Sequence, residues 1–241
     1  MSGRPTSANG ASSFHLTWLL EQVALVEVSA VLEVVVPPAV GSLYFWALQV
    51  SFLDGATSRG GAHTGLQWNA RHPGGTAVNW GGYEPGGGLL RGTESSLPSA
   101  PHDPNTRDYP WRPHSPYRLR VSPSPGLPPG HWQAEVTDLG SGEATVVRHL
   151  AAGGDRLGSP VVWSEVFARC DDPSVTVRWS GLQARTADGT VVTARGLSVN
   201  YQARSAGGCD NTTAALDGDG VLQTTNAERT VAQGAVLTPP G

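Results

Sequence analysis

The amino-acid sequence predicts an all-β protein, an antiparallel β-sandwich. Three observations carry this. Ala24, Val26, Val28, Ala30, Leu32, Val34 and Val36 alternate with a set that includes Glu27, Ser29 and Glu33, the period-two signature of a strand with one buried face. Comparable short runs recur to the C-terminus between Gly- and Pro-rich breaks. No long helical pattern competes with them, so the strands must pair mainly antiparallel and bury one side of each sheet against another.

Taken in order, residues 1–13 read as a flexible polar tail rich in Gly and Ser. A strand over 14–20 leads into the long one at 23–36, which Pro37 and Pro38 end because proline gives no N–H to a ladder. Residues 43–52 follow, with Tyr44, Trp46, Leu48, Val50 and Phe52 on one face and Gln49 on the other. After a turn-rich stretch, 63–69 set Leu66 and Trp68 against His63, Gln67 and Asn69, and 76–80 set Val78 and Trp80 against Asn79. Trp46, Trp68 and Trp80 share their faces with aliphatic side chains and are expected in the core. Residues 85–116 form a Pro/Gly-rich loop insertion; eleven of the nineteen prolines fall within 85–130. A loop of that length in a compact domain is either functional or disordered, and its aromatic end over 109–117, with Trp111, predicts an ordered rim. Further strands are expected at 117–121, 132–137, 144–150, 161–169, 175–179 and 191–201, with a weaker pair at 221–225 and 230–237. Gly153-Gly154-Asp155 and Asp188-Gly189 supply hairpin turns. No repeat at a fixed period appears, which argues against a propeller, and one domain over 14–241 accommodates the whole series.

Composition excludes several kinds of chemistry. All sixteen basic residues are arginine, so a Schiff-base lysine and a phosphate loop with its Gly-Lys pair are absent. The net charge is −4 and no basic stretch occurs, which leaves no electrostatic footprint for nucleic acid. No uncharged apolar run is long enough to predict a membrane-spanning helix. The first residues lack the charged start, apolar core and cleavage site of a secretory signal, so the chain as written is expected in the cytoplasm, or outside the cell if a leader is missing. The two cysteines, Cys170 and Cys209, are either a disulfide closing a loop of about 40 residues or two buried thiols. Seven histidines show no ligand spacing, and neither a metal nor a cofactor is expected. Asp217-Gly218-Asp219 reads as an acidic turn, since the other positions of a calcium loop are missing.

Two constellations could carry function. Gln49, Gln67, Asn69 and Asn79 project from the polar faces of their strands; on neighbouring strands they would form a rigid patch of amide donors and acceptors suited to sugar hydroxyls, or simply a solvated face. In the run Val161-Val-Trp-Ser-Glu-Val-Phe167, Trp163, Glu165 and Phe167 share one face. A carboxylate between aromatics is either paired with an arginine or lifted in pKa and able to act as acid or base. Ordinary glycoside hydrolysis needs a second carboxylate, and no spacing in the sequence fixes one near Glu165.

Several short motifs resemble an uncharacterised bacterial domain family. They are Tyr44-Phe-Trp-Ala-Leu-Gln49, Gly65-Leu-Gln67 followed by Ala77-Val-Asn-Trp80, Tyr117-Arg-Leu-Arg-Val121, Trp132, Val161-Val-Trp-Ser-Glu165 and Gly208-Cys-Asp-Asn-Thr212. The resemblance implies a concanavalin-like jelly roll. Because members of that family stand beside carbohydrate-active modules, it also implies a carbohydrate-related role; the chain departs from the family pattern in its Pro-rich insertion and in having no leader. The expectation is thus a lectin-like module that binds a glycan or other polyhydroxylated small molecule through Gln49, Gln67, Asn69, Asn79, Trp111 and Trp163. The alternative is an enzyme on the same scaffold, a glycoside hydrolase, lyase or small-molecule cyclase with Glu165 as acid or base. Fold does not choose between them.

Overall fold

A computed structural model of the chain describes residues 3–21 and 24–238. Residues 1–2 of the expected tail, Val23 at the head of the second expected strand, and residues 239–241 lie outside the described residues. The described residues form seventeen strands. The first nine are β1 (Ser12–Leu19), β2 (Leu25–Val36), β3 (Tyr44–Asp54), β4 (Thr57–Trp68), β5 (Thr76–Tyr83), β6 (Arg91–Gly92), β7 (Thr106–Asp108), β8 (Pro116–Pro123) and β9 (His131–Asp138). The other eight are β10 (Ala144–Ala151), β11 (Arg156–Val166), β12 (Val175–Thr186), β13 (Val191–Thr193), β14 (Gly196–Tyr201), β15 (Thr212–Asp217), β16 (Gly220–Thr225) and β17 (Val236–Leu237).

Every ladder is antiparallel, and the pairings fall into two runs. One runs β15–β16–β12–β2–β8–β9–β10–β6, with β13 beside β12. The other runs β17–β14–β1–β11–β3–β4–β5–β7. A single pairing, Leu25 with Leu157, joins them, so one large sheet curls over on itself as the all-β sandwich the alternation predicts. The inner faces supply the core. Tyr44, Trp46, Leu48, Val50 and Phe52 of β3 are each no more than 1% exposed, and Phe52 meets Trp132 of the facing run with ring centroids 5.7 Å apart. Gln223 is the buried polar clamp between the runs. Its Oε1 accepts from Trp179 Nε1 (2.8 Å) and Ser164 Oγ (2.9 Å), and its Nε2 donates to the Phe14 carbonyl (3.0 Å), so three of the four bonds this buried amide can make are met.

Several expectations are corrected in detail. At the start of β2 the inward residue is Leu25, while Val26 is only half-buried, because the β12 ladder slips by one residue between Arg185 and Thr186. β4 begins at Thr57, six residues before the expected strand; Gly55, at φ 58°, closes a two-residue hairpin from Asp54 to Thr57. The strand expected over 191–201 is two strands, and β15 was not expected at all. Asp217 and Asp219 flank the β15–β16 turn and both hold Arg178, at 2.8 and 2.6 Å, the role of an acidic turn. Trp111, expected on a ligand-facing rim, is 2% exposed. Its indole N–H donates to the Gln67 carbonyl (3.0 Å), and its ring packs edge-on against Trp46 and Trp68, so it plugs the core beneath the loop instead. The cysteines form a disulfide with Cα atoms 5.6 Å apart, well within bridging geometry.

Candidate functional site

The outer face of the β14–β7 run gathers most of the residues singled out from the sequence. Because side chains alternate strictly along paired strands, register alone sets three rows across it. One row passes from Ser13 through Glu165, Phe45, Gln67 and Ala77 to Asp108. The next runs Asn200, His15, Trp163, Ala47, Gly65, Asn79 and Thr106. The third holds Thr17, Val161, Gln49, His63 and Gly81. Glu165, Trp163, Gln49, Gln67 and Asn79 therefore share one surface. Asn69 lies just past the end of β4 and reaches the face only through its bond to Gln67. Trp111 is on the opposite, inner side.

The middle of the face is built from rings over small residues. Ala47 and Gly65 leave room above the sheet, and a Cβ at Gly65 would fall 1.9 Å from the Trp46 carbonyl oxygen. Phe45, His63 and Trp163 fill that room. Trp163 meets Phe45 edge-on at 4.9 Å and His63 at 5.5 Å, and Phe45 meets His63 at 5.5 Å. His63 pairs with Gln49, four residues along β3 from Phe45, so the Phe45 ring leans along its strand and away from the line joining Glu165 to Gln67. Phe45 and Trp163 are each 5% exposed although they stand on an outer face. They present no flat ring to solvent.

Most of the amides on the face are already engaged. Gln49 accepts from Trp163 Nε1 (3.1 Å) and donates to the Tyr83 hydroxyl (3.3 Å), which fixes the indole. Asn79 donates to Thr106 Oγ1 (3.0 Å), and its buried Oδ1 has no partner among the described residues. Gln67 is different. Asn69 Nδ2 donates to its Oε1 (3.0 Å), which orients the group, and its Nε2 makes no hydrogen bond among the described residues. That leaves both N–H groups of an oriented amide, 5% exposed like Phe45 and Trp163, without a partner in the row that holds Glu165.

Glu165 is half-buried, with no cation within ion-pair distance among the described residues. Burial pushes its carboxyl above the usual carboxylate range, and hydrogen bonds from Asn9 and Ser13 pull only partly back. Asn9 Nδ2 donates to its Oε1 at 2.7 Å. Asn9 belongs to the segment expected as a flexible tail. Residues of that segment bond to the body through Gly3 to Cys170, Thr6 to Gly207 and Arg4 to Phe167. Burial holds His63 down at about 4 and lowers His15 as well, so the face carries little positive charge. The other carboxylate in the row, Asp108, is four strands from Glu165, roughly 19 Å at 4.8 Å per strand. It is bonded to His72 (2.6 Å), which is buried.

Sequence reasoning placed the strands of this face but missed two contributors. His63 was visible at the polar phase of its strand, though nothing marked it as neutral and walled by rings. Asn9 carries no signal at all, since its contact joins positions 156 apart.

No family model matches the chain, and no curated protein does. Solved structures to which the chain shows some similarity include scytalido-glutamic peptidase with a peptide-based transition-state analogue, at 12% identity and a TM-score of 0.46, over 89% of this chain and 98% of that one. Another is SCP-B, a member of the eqolisin family of peptidases, in complex with the tripeptide Ala-Ile-His, at 10% identity and a TM-score of 0.45, over 93% of this chain and 99% of that one. A third is the enzymatically active domain of tailspike protein 2 of bacteriophage CBA120, at 15% identity and a TM-score of 0.32, over 79% of this chain and 24% of that one.

Proposed function

We propose that the protein is a hydrolase of acyl bonds, with amides as substrates, and that the outer face around Glu165 is its active site. The observation that carries this is the pairing within one row of a carboxyl lifted by burial and an oriented amide with a free N–H, Glu165 and Gln67. Their Cα atoms are two strands apart, roughly 10 Å, a gap that two side chains of this length reach across from either side to a group lying over Phe45.

In this reading a water held by ionised Glu165 attacks the substrate carbonyl carbon. Glu165 accepts the proton the water gives up as the C–O bond forms, and the carbonyl π electrons move onto the oxygen. Gln67 Nε2–H donates to that developing oxyanion. The tetrahedral adduct collapses, the C–N bond breaks, and Glu165 returns the proton to the leaving amine. A raised carboxyl pKa suits both halves of the cycle, since the group must take a proton and then give it up. Asn9 steadies the carboxyl through its Oε1.

Two features weigh against the expected glycan-binding module. Flat exposed rings suit sugar stacking, and here Trp163 and Phe45 are covered while Trp111 is in the core. The amides that were to meet hydroxyls are spent on Trp163, Tyr83 and Thr106. A two-carboxylate glycosidase is likewise disfavoured, because the row offers Glu165 no partner carboxylate within the roughly 5–10 Å that chemistry uses. The disulfide persists best in an oxidising compartment, which supports a site of action outside a reducing cytoplasm.

The test is to incubate the protein with a mixed-sequence peptide library through the acid and neutral range and to read new termini by mass spectrometry, alongside a soluble-glycan array. New peptide termini without glycan retention support the reading. Glycan retention with intact peptides overturns it.

A further inference from the structure

At the far edge of the sandwich, away from Glu165, β10 and β6 of one run face β7 of the other across a cleft of about 550 Å³. Thr93, Glu94, Ser99, His102, Arg107 and Arg148 line it, and Glu94 is exposed. Arg148 is placed there by a β-bulge. The β9–β10 register shifts between Val146 and Arg148, which leaves Val147 in the core and sets Arg148 opposite buried Ala134. An inward-facing guanidinium is the result, and Arg148 is 5% exposed. Nη1 donates to the Pro104 carbonyl and to Asn105 Oδ1 (3.0 Å). Gly92 makes the approach possible, because a Cβ there would meet Nη2 at 2.2 Å.

What the two guanidinium groups lack is an ion-pair partner: Glu94 lines the cleft but pairs with neither among the described residues. Among the described residues no carboxylate lies within 4.0 Å of Arg107 or Arg148, whereas Arg120 is held between Glu27 and Glu135. Nε of both Arg107 and Arg148 is buried without a hydrogen-bond partner. Asp103 is an acid whose charge favours that of Arg148, and its Oδ1 is occupied by the backbone N–H groups of Asn105 and Thr106. Two like charges brought together and partly desolvated are unfavourable unless an anion joins them. The planar guanidinium fork suits a carboxylate or phosphate group, and the Thr93 hydroxyl adds a third polar group on the wall.

We infer that this cleft is an oxyanion-binding site, separate from the Glu165 face, in which Arg107 and Arg148 together hold a phosphate or carboxylate group of a small ligand. Asn105 links the two regions: it accepts from Arg148, and its side chain covers Gly81 at the rim of the outer face.

The experiment is calorimetric titration of the full chain with inorganic phosphate and, separately, acetate, at constant ionic strength in chloride. Wild type should bind at least one of them saturably, and the tighter of the two identifies the headgroup. Arg107→Gln, checked for an unchanged melting temperature, should bind roughly tenfold more weakly, the effect of losing one charge-assisted contact. Glu165→Gln should bind as wild type does, which separates this site from the proposed hydrolytic one. Arg148→Gln removes a group packed at the edge of the core. NMR of the arginine Nε–H signals in wild type therefore gives a second reading that needs no variant, and two of them should shift on adding the bound anion. Absence of saturable binding of either anion, unshifted Nε–H signals, or undiminished affinity in folded Arg107→Gln overturns the inference.

Discussion

Gln67 and His63 show how the environment decides what a side chain on this face can do. Asn69 uses the carbonyl end of the Gln67 amide and leaves the N–H end to act, so the role proposed for it is narrow. Gln67→Leu should lower kcat by about 10²–10³-fold with little change in KM, because the donor matters most once charge develops on the substrate oxygen; steady-state kinetics on any cleaved peptide would check this. His63 acts on stability. Phe45 and Trp163 wall it, and burial depresses it from 6.5 to about 4, so it is neutral when folded. As pH falls the unfolded chain takes up this proton first. Stability is therefore intact above 6.5 and is lost as pH drops from 6.5 towards 4, by about 3 kcal/mol for a shift of that size. Glu165 has the opposite sign. Its folded-state pKa is raised, so its protonated form favours the fold and that contribution fades as pH rises through the folded value. Chemical denaturation across pH should show His63→Phe with a flatter acid limb than wild type.

At the scale of elements, the ends of the strands that frame the site are tied by covalent and packing constraints. The Cys170–Cys209 bridge lies just after β11 and before β15, and it pins the end of the strand that carries Glu165. Reduction should cost about 4 kcal/mol by loop entropy for a separation of 39 residues, read as a drop in denaturant midpoint between oxidised and reduced protein. β2, β3, β4, β5 and β11 were legible in the sequence because each buries one face over several alternations; the polar phases put Gln49, Gln67 and Asn79 outward, while for β11 the alternation set Trp163 and Glu165 on one face without saying which. β15 was not legible: its Thr-Thr-Ala-Ala start holds no large apolar side chain, and pairing with β16 alone defines it. β6 and β7 are two and three residues long, too short for any period to show. Trp111 was misplaced because a tryptophan in a Pro-rich loop carries no phase. Only the gap beside Trp46 and Trp68 decides that it turns inward.

Across the whole molecule, the sandwich is a platform, and the proposed chemistry falls on one outer face. The core holds the two runs together through the β3 aromatics and the Gln223 clamp, and the outer face of β11, β3, β4 and β5 is then fixed by register without any loop having to close. The fold class followed from alternation, but which rings were covered and which amides were spent depended on contacts between distant positions. The proposed activity rests on those contacts, and above all on Glu165. The most direct measurement is kcat/KM as a function of pH for wild type and Glu165→Gln on one cleaved peptide. Wild type should show a limb set by a carboxyl above the ordinary range, and the variant a loss of about 10²–10⁴-fold with that limb gone and its melting curve still cooperative. Turnover by Glu165→Gln at the wild-type rate, with the same pH limb, would contradict it.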